Sequence, residues 1–264
     1  MSQAPVNCSL DERGVATVTF NRPEVNNAYN GDLILAVLAA IDELSQVSGL
    51  RAVVLCGAGR HFQAGADLAW INSVRPQSPA ANLAASRRTF EAVQRLNTLK
   101  VPTVALVQGA CFGGGTGIIA ACDVVLAADD ALFSITEVRW GLTAAIIIPQ
   151  LVDAIGARQL RRYALTGERF DAGEARRIGL VHEVVPRAEL AAAGERVLAQ
   201  VLANGPLALT ATKQQILEHA VGGQDPDDAC WAPVVAAHAA KRQTPEAAEG
   251  LASFADKRAA RWPG

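Results

Sequence analysis

The stretch Gln108-Gly109-Ala110-Cys111-Phe112-Gly113-Gly114-Gly115-Thr116-Gly117 decides how this chain is read. Before it, Val101–Val107 is apolar and largely β-branched, the pattern of a buried strand. After it, Ile118–Cys122 reads as a short apolar helix closed by Asp123. A strand therefore enters a glycine turn and leaves as a helix. The leading N–H groups of a helix have no intrahelical partner and sit at the positive end of its dipole. Consecutive glycines remove the side chains that would hold a ligand away from those N–H groups. The stretch thus reads as a place to stabilise negative charge on an oxygen.

Other uses of such glycines compete with this one. A P-loop needs a Gly-Lys-Ser/Thr ending, which is absent. Gly115-Thr116-Gly117-Ile118-Ile119-Ala120 fits the loosened dinucleotide fingerprint G-x-G-x-x-A. The next strand, Val124–Ala127, follows too soon for a full crossover helix. Glycine used for close packing alone remains open until a partner site is found elsewhere.

The whole chain sets wider bounds. Its 264 residues suit one large domain or a domain with an appendage. Half are hydrophobic and 19% charged, which supports a sizeable core. Net charge is −2 with no basic or acidic block, so neither a nucleic-acid nor a membrane-surface partner is expected. Cys8, Cys56, Cys111, Cys122 and Cys230 are scattered and lack C-x-x-C spacing, as expected of reduced thiols in a cytoplasmic chain. The histidines His61, His182, His219 and His238 form no metal-ligand pattern, and no metal is expected. Met1 to Asp11 lacks the basic-then-apolar pattern of a signal peptide.

Along the chain, Val15–Phe20 alternates as a strand. Asn30-Gly31-Asp32 opens a helix carrying Leu33, Val37, Leu38, Ile41 and Leu44. Arg51–Cys56 reads as a buried strand, followed by a glycine-bearing loop to Asp67. Leu68–Ser73 starts a short helix, which Pro76 to Pro79 interrupts, and Leu83–Leu99 is an amphipathic helix. Val124–Ala127 and Leu132–Ile135 are further strands. This alternation predicts an α/β fold with parallel pairing. Beyond Ala144 helices dominate: Ile146–Ile155, Ala157–Leu165, Ala172–Arg177, Glu189–Ala203, Pro206–Ala220, Asp227–Ala240 and Pro245–Lys257, with one strand at Val181–Val185. The expected division is an α/β core over 1–203 and a helical region over 204–264.

At this point the residues carry a resemblance. Phe20-Asn21-Arg22-Pro23-Glu24-Val25-Asn26-Asn27-Ala28 and Phe62-Gln63-Ala64-Gly65-Ala66-Asp67-Leu68 precede the glycine stretch. Phe133 to Gly141 and Glu249-Gly250-Leu251-Ala252-Ser253-Phe254 follow it. In this order the set resembles the crotonase superfamily, the enoyl-CoA hydratases and isomerases. The resemblance implies a spiral of βαβ units with a C-terminal helical trimerisation region, and a homotrimer or homohexamer. It implies an acyl-CoA thioester as substrate, with CoA as part of that substrate and no separate cofactor. The N–H groups of Ala66 and Gly114 would then bind the thioester oxygen as it becomes an enolate. Ala64 would offer its carbonyl to adenine, with Asp67 and Leu68 in the same loop. Val25 and Ala28 would line the pantetheine path. Phe254 and Lys257 would reach the CoA of a neighbouring subunit. Many relatives carry a basic residue where Asn26 stands, which leaves Arg22 as the candidate for the nucleotide phosphates.

Well-known hydratases of this superfamily carry two glutamates. Aligning the motifs places one at Glu137 and the other on Gly117, which has no side chain. Glu137 lies in an apolar segment, so desolvation should raise its pKa toward a value useful for proton transfer. One carboxylate can serve a syn hydration or a Δ3–Δ2 isomerisation, and the motif does not choose between them. The run Glu137 to Ala145 lacks the Pro-Gly-Gly turn of ordinary crotonases. With Ala154-Ile155-Gly156-Ala157-Arg158 and Arg161 to Phe170 it is similar to hydratases of 3-methylglutaconyl-CoA and isohexenylglutaconyl-CoA. Gly117 and the small Ala144-Ala145 pair are expected to leave volume for a β-branch, which favours the isohexenyl substrate. Two further classes compete: a binding-only protein, opposed by the balanced charge, and a dinucleotide oxidoreductase built on Gly115 and Gly117.

Overall fold

The computed structural model describes residues 4–220 and 231–261. Its main sheet is built from β1 (Val6–Leu10), β2 (Val15–Phe20), β3 (Ala52–Gly57), β4 (Thr103–Val107), β6 (Val124–Ala128) and β9 (Glu183–Val185), in the order β1-β2-β3-β4-β6-β9. Only the β1–β2 pair is antiparallel, with Val6 opposite Phe20; the other pairs are parallel. A smaller sheet holds β5 (Ala110–Phe112), β7 (Leu132–Ser134) and β8 (Phe170–Asp171).

The apolar central strands follow from burial on both faces. Val53 and Leu55 point into the cluster with Leu33, Ile41, Phe90 and Val93, which belong to α1 (Gly31–Ser45) and α3 (Pro79–Asn97). Their neighbours Ala52 and Val54 point the other way, against Leu198 of α7 (Leu190–Ala203). This period-two division places the site between the sheet and the α1/α3 layer.

Local signals explain several boundaries. Asn30 caps α1, its side-chain oxygen accepting from Leu33 N at 3.0 Å. The expected break holds: one helix ends at Val74 and α3 begins at Pro79, earlier than the expected Leu83, after Ser78 as the cap. A proline fits the first helical position because the N–H it lacks would be unpaired there anyway. The two helices expected on either side of Gly156 form α5 (Ile148–Thr166), broken where Gly156 takes φ +69° and ψ 153°. Three strands were not expected, β1, β5 and β8. Of these, β5 lies inside the glycine stretch, and both β5 and β8 pair with β7.

The later helices are α6 (Ala172–Arg177), α8 (Pro206–Glu218), α9 (Ala232–Arg242) and α10 (Pro245–Ala255). Cys230 and the start of the helix expected at Asp227 lie outside the described residues. In α8, buried Lys213 donates to Asp123 Oδ2 at 2.7 Å and to Val101 O at 3.2 Å. Trp231 packs on Phe90 with ring centroids 5.1 Å apart. In α10, Phe254 meets Trp140 edge-on at 4.7 Å. Gly250 has no side chain to collide with the Trp140 backbone, so α10 sits directly on the turn that begins at Glu137. Among the described residues no helix is long and apolar enough to cross a membrane.

Candidate active site

Two loops are joined backbone to backbone. Phe62 N donates to Gln108 O at 2.8 Å, Gln63 N to Ala110 O at 3.1 Å, and Phe112 N to Gln63 O at 2.9 Å. Gly65, with φ +90°, permits this approach, because a Cβ there would stand 3.1 Å from Phe112 O. A third segment closes the set: Tyr29 N donates to Gly65 O and Asp67 N to Tyr29 O, both at 2.8 Å. This pairing uses the neighbours of Ala66 and leaves its own N–H unbonded among the described residues. The N–H of Gly114, first residue of α4 (Gly114–Ala120), is likewise unbonded. Two free donors thus stand on loops clamped to one another.

Each of the three consecutive glycines makes room for one polar side chain. A Cβ on Gly113 would stand 3.1 Å from Glu137 Oε1. On Gly114 it would stand 2.6 Å from Tyr29 Cε1, and on Gly115 2.9 Å from Gln63 Oε1. Glu137, Tyr29, Gln63 and Gly114 line one cavity. It runs inward between α1, α3 and the sheet, past Leu33, Val37, Leu55 and Val93. Glu137 as a whole residue keeps some exposure, but its Oε2 is buried and unpartnered among the described residues. Burial pushes its carboxyl up to about 7, against a smaller downward pull from its own and the Thr136 backbone N–H. The Tyr29 hydroxyl is pushed up by burial and by Glu137, and eased down by Arg242.

The remaining expected residues are placed as follows. Gly117 does not offer open volume: a Cβ there would overlap the Ile147 side chain, so the space expected for a branch is already filled. Ala144 does line the cavity, with Thr143, Ile146 and Ile147. Asp67 caps α2 (Leu68–Val74), accepting from Ala69 N at 3.1 Å and pairing with Arg22 at 3.2 Å. Arg22 also donates to Ala28 O at 2.5 Å, so this guanidinium ties loops together and is not a free cation for phosphates. Ala64 N donates to Asn26 O, while its carbonyl accepts nothing among the described residues. Val25 ends a short 3-10 turn that begins at Pro23. Leu68 packs beside Ile71, Leu142 and Leu251. Phe254 is half exposed, and Lys257 follows α10 with φ +52°.

Tyr29, Gln63 and His238 were not anticipated as cavity residues. For the first two a signal existed. Tyr29 directly follows the Phe20–Ala28 motif, and Gln63 is the one long polar side chain between Phe62 and Gly65. His238 reaches the cavity from α9, far along the chain, and no local pattern marks it.

The mostly parallel sheet, the clamped glycine loops and the C-terminal helices define an α/β protein of the crotonase type. The enoyl-CoA hydratase/isomerase family profile matches residues 11–264, and the chain belongs to that family. It is 35% identical over 252 residues to a candidate enoyl-CoA hydratase of Thermus thermophilus, covering 95% of this chain and 98% of the relative. It is 32% identical to the peroxisomal Delta(3,5)-Delta(2,4)-dienoyl-CoA isomerase of Arabidopsis thaliana, over 78% of each chain. The crystal structure of an enoyl-CoA hydratase from Mycobacterium avium superposes with a TM-score of 0.85 at 29% identity, covering 99% of this chain and all of that one.

Proposed function

We propose that the protein hydrates the α,β double bond of an enoyl-CoA, with Glu137 as the acid–base group and the N–H groups of Ala66 and Gly114 as the oxyanion hole. The observation that carries this reading is the position of the Glu137 carboxyl: its Oε2 is buried and unpartnered among the described residues, and its Oε1 lies against the same glycine turn that presents the free Gly114 N–H. Ionised Glu137 takes a proton from water as the water oxygen bonds to C3. The C2–C3 π electrons move through the thioester onto its oxygen, where the two N–H groups hold the charge. The enolate then collapses, C2 takes the proton from Glu137, and the carboxylate is restored. Donors aimed in advance at a developing oxyanion are worth roughly 3 kcal/mol each. Water and thioester suffice for this reaction.

The finer proposal is a β-branched glutaconyl-type substrate, isohexenylglutaconyl-CoA before 3-methylglutaconyl-CoA. A long apolar branch suits the cavity between α1, α3 and the sheet, which now takes the place assigned to Gly117. The second reading is a double-bond isomerase with the same oxyanion hole. It is favoured by the single carboxylate and by the likeness to the dienoyl-CoA isomerase. We further propose a trimer or hexamer in which Phe254 and Lys257 meet a neighbour's CoA. The test of the reaction is a panel of enoyl-CoAs in deuterium oxide, read by mass spectrometry. Hydration adds the mass of water and places deuterium at C2. A double-bond shift without added water would select the isomerase, and no reaction with any enoyl-CoA would end both readings.

A further inference from the structure

Apart from Glu137, the polar side chains of the cavity are Tyr29, Gln63, Thr89, Thr143 and His238, and of these only Gln63 has buried side-chain atoms without a partner among the described residues. Glu137 is the proposed acid–base group. Thr89 Oγ1 donates to Ala85 O at 2.9 Å. His238 Nδ1 lies 3.1 Å from Ser86 Oγ. Tyr29 packs on Trp70 and feels both Glu137 and Arg242. Gln63 differs. Its side chain is fully buried, it lines the cavity, and neither Oε1 nor Nε2 has a hydrogen-bond partner among the described residues. A buried amide left unpaired destabilises a fold, so such groups are ordinarily satisfied. Its place is nonetheless held firmly. The Gln63 backbone is bonded on both sides, to Ala110 O and from Phe112 N, and Gly115 leaves the room its Oε1 needs.

We propose that the Gln63 amide is a specificity contact for an oxygen on the acyl group, so that the preferred thioester carries a hydroxyl, keto or carboxylate oxygen beyond its C3. The proposal rests on the acyl-CoA reading of the cavity and narrows its substrate class. The amide lies against Gly115, next to the Gly114 that holds the thioester oxygen, and consecutive Cα atoms are about 3.8 Å apart. The recognised oxygen therefore lies within the first few carbons of the chain. Nε2 donates to any of the three oxygen types, and Oε1 accepts from a hydroxyl. A purely aliphatic acyl group would bury the amide with nothing to bond, which is a strong means of rejecting a substrate that lacks the polar group.

The experiment is calorimetric titration of the full-length protein and of Gln63→Leu with saturated thioesters: hexanoyl-CoA, its 4-oxo, 5-hydroxy and 6-hydroxy derivatives, and adipyl-CoA. These ligands need no turnover, so failure of the hydration reading in the mass assay leaves this measurement intact. Expected is at least one oxygenated ligand bound about tenfold or more tighter than hexanoyl-CoA. In Gln63→Leu that ratio falls to about twofold or less, while hexanoyl-CoA binds as well or better. Adipyl-CoA separates a carboxylate from a neutral oxygen. The proposal is overturned if no oxygenated ligand outbinds hexanoyl-CoA, if the preference survives in Gln63→Leu, or if the variant weakens every ligand equally, as a merely structural residue or a water-positioning one would. Should Gln63→Leu fail to fold, Gln63→Met takes its place, and the comparison within the unmodified protein still decides the first condition.

Discussion

The clamped loops around Ala66 and Gly114 and the helical tail after Gly205 work in opposite ways. The loops present backbone atoms and exclude side chains: at 113, 114 and 115 glycine is the residue that leaves room for Glu137, Tyr29 and Gln63. The tail presents side chains. Leu207 and Ile216 of α8 are 85% and 64% exposed, while Trp231 and Leu251 are buried against the core. The loops therefore depend on steric exclusion and the tail on apolar surface seeking cover. Substitutions in the two should fail differently, and that difference can be tested.

The largest effect is expected where the glycine turn meets Glu137. Glu137→Gln should lower kcat by roughly a hundred- to ten-thousandfold while acyl-CoA affinity stays nearly unchanged. Retained hydration would place the acid–base group elsewhere. The same residue sets the pH dependence. The reaction needs the carboxylate, whose pKa is about 7, so kcat/KM should rise about tenfold per pH unit below that value and level off above it. A flat profile from pH 5 to 8 contradicts the assignment. Stability runs the other way. A carboxyl whose folded pKa is raised contributes stability that is present below its ordinary value and lost as pH rises through about 7, on the order of 3 kcal/mol at most. Glu137→Gln lacks this penalty, so its Tm advantage over the unmodified protein should grow between pH 5 and 8.

Next in size is the donor itself. Ala66→Pro removes one N–H, and a fall in kcat of about a hundredfold is expected with circular dichroism unchanged. Near-normal turnover in a folded variant would remove Ala66 from the oxyanion hole. A smaller effect belongs to Gly117, which the structure turns from a substrate contact into a packing contact. Gly117→Ala drives a methyl into Ile147 and should lower stability by about 1–3 kcal/mol. Adding Ile147→Ala should return part of the loss, whereas an unchanged Tm for Gly117→Ala would reopen that volume to a substrate branch. The smallest effect on chemistry is expected from the tail. Leu207→Glu with Ile216→Glu should reduce the mass measured by light scattering, with kcat kept within a few-fold. An unchanged mass would remove this surface from the proposed assembly.

Legibility in the sequence followed the range of the interaction. Alternation located β2, and short apolar runs located β3, β4 and β6, because strands covered on both faces carry apolar side chains on each. Asn30 marked a helix start through a bond three residues away. Pro76 to Pro79 marked the break between two helices, but the start of α3 was placed at Leu83 and not at Pro79, whose role as first helical residue depends on the cap at Ser78. β5 was hidden because three residues within a glycine run have no pattern of their own, and β7 alone makes them a strand. In the site, Ala66, Gly114 and Glu137 were reached through motif likeness. Gln63 was passed over because its polarity gains meaning only once its surroundings are known to be dry.

The sequence by itself determined the alternation of strands and helices, the family, and the two backbone N–H groups proposed to face a thioester oxygen. These rest on local pattern and on short motifs whose geometry travels with them. The tertiary structure alone decided what fills the space beside each glycine. Gly117 looked open because the sequence shows a missing side chain but not its neighbour, and Ile147, thirty positions later, occupies the place. Gly115 fitted a dinucleotide fingerprint, yet it makes room in the cavity for an amide that is unpaired among the described residues. Excluded volume acts between residues distant in the chain, so which of two glycines is filled and which receives a polar group is settled only when the chain has folded.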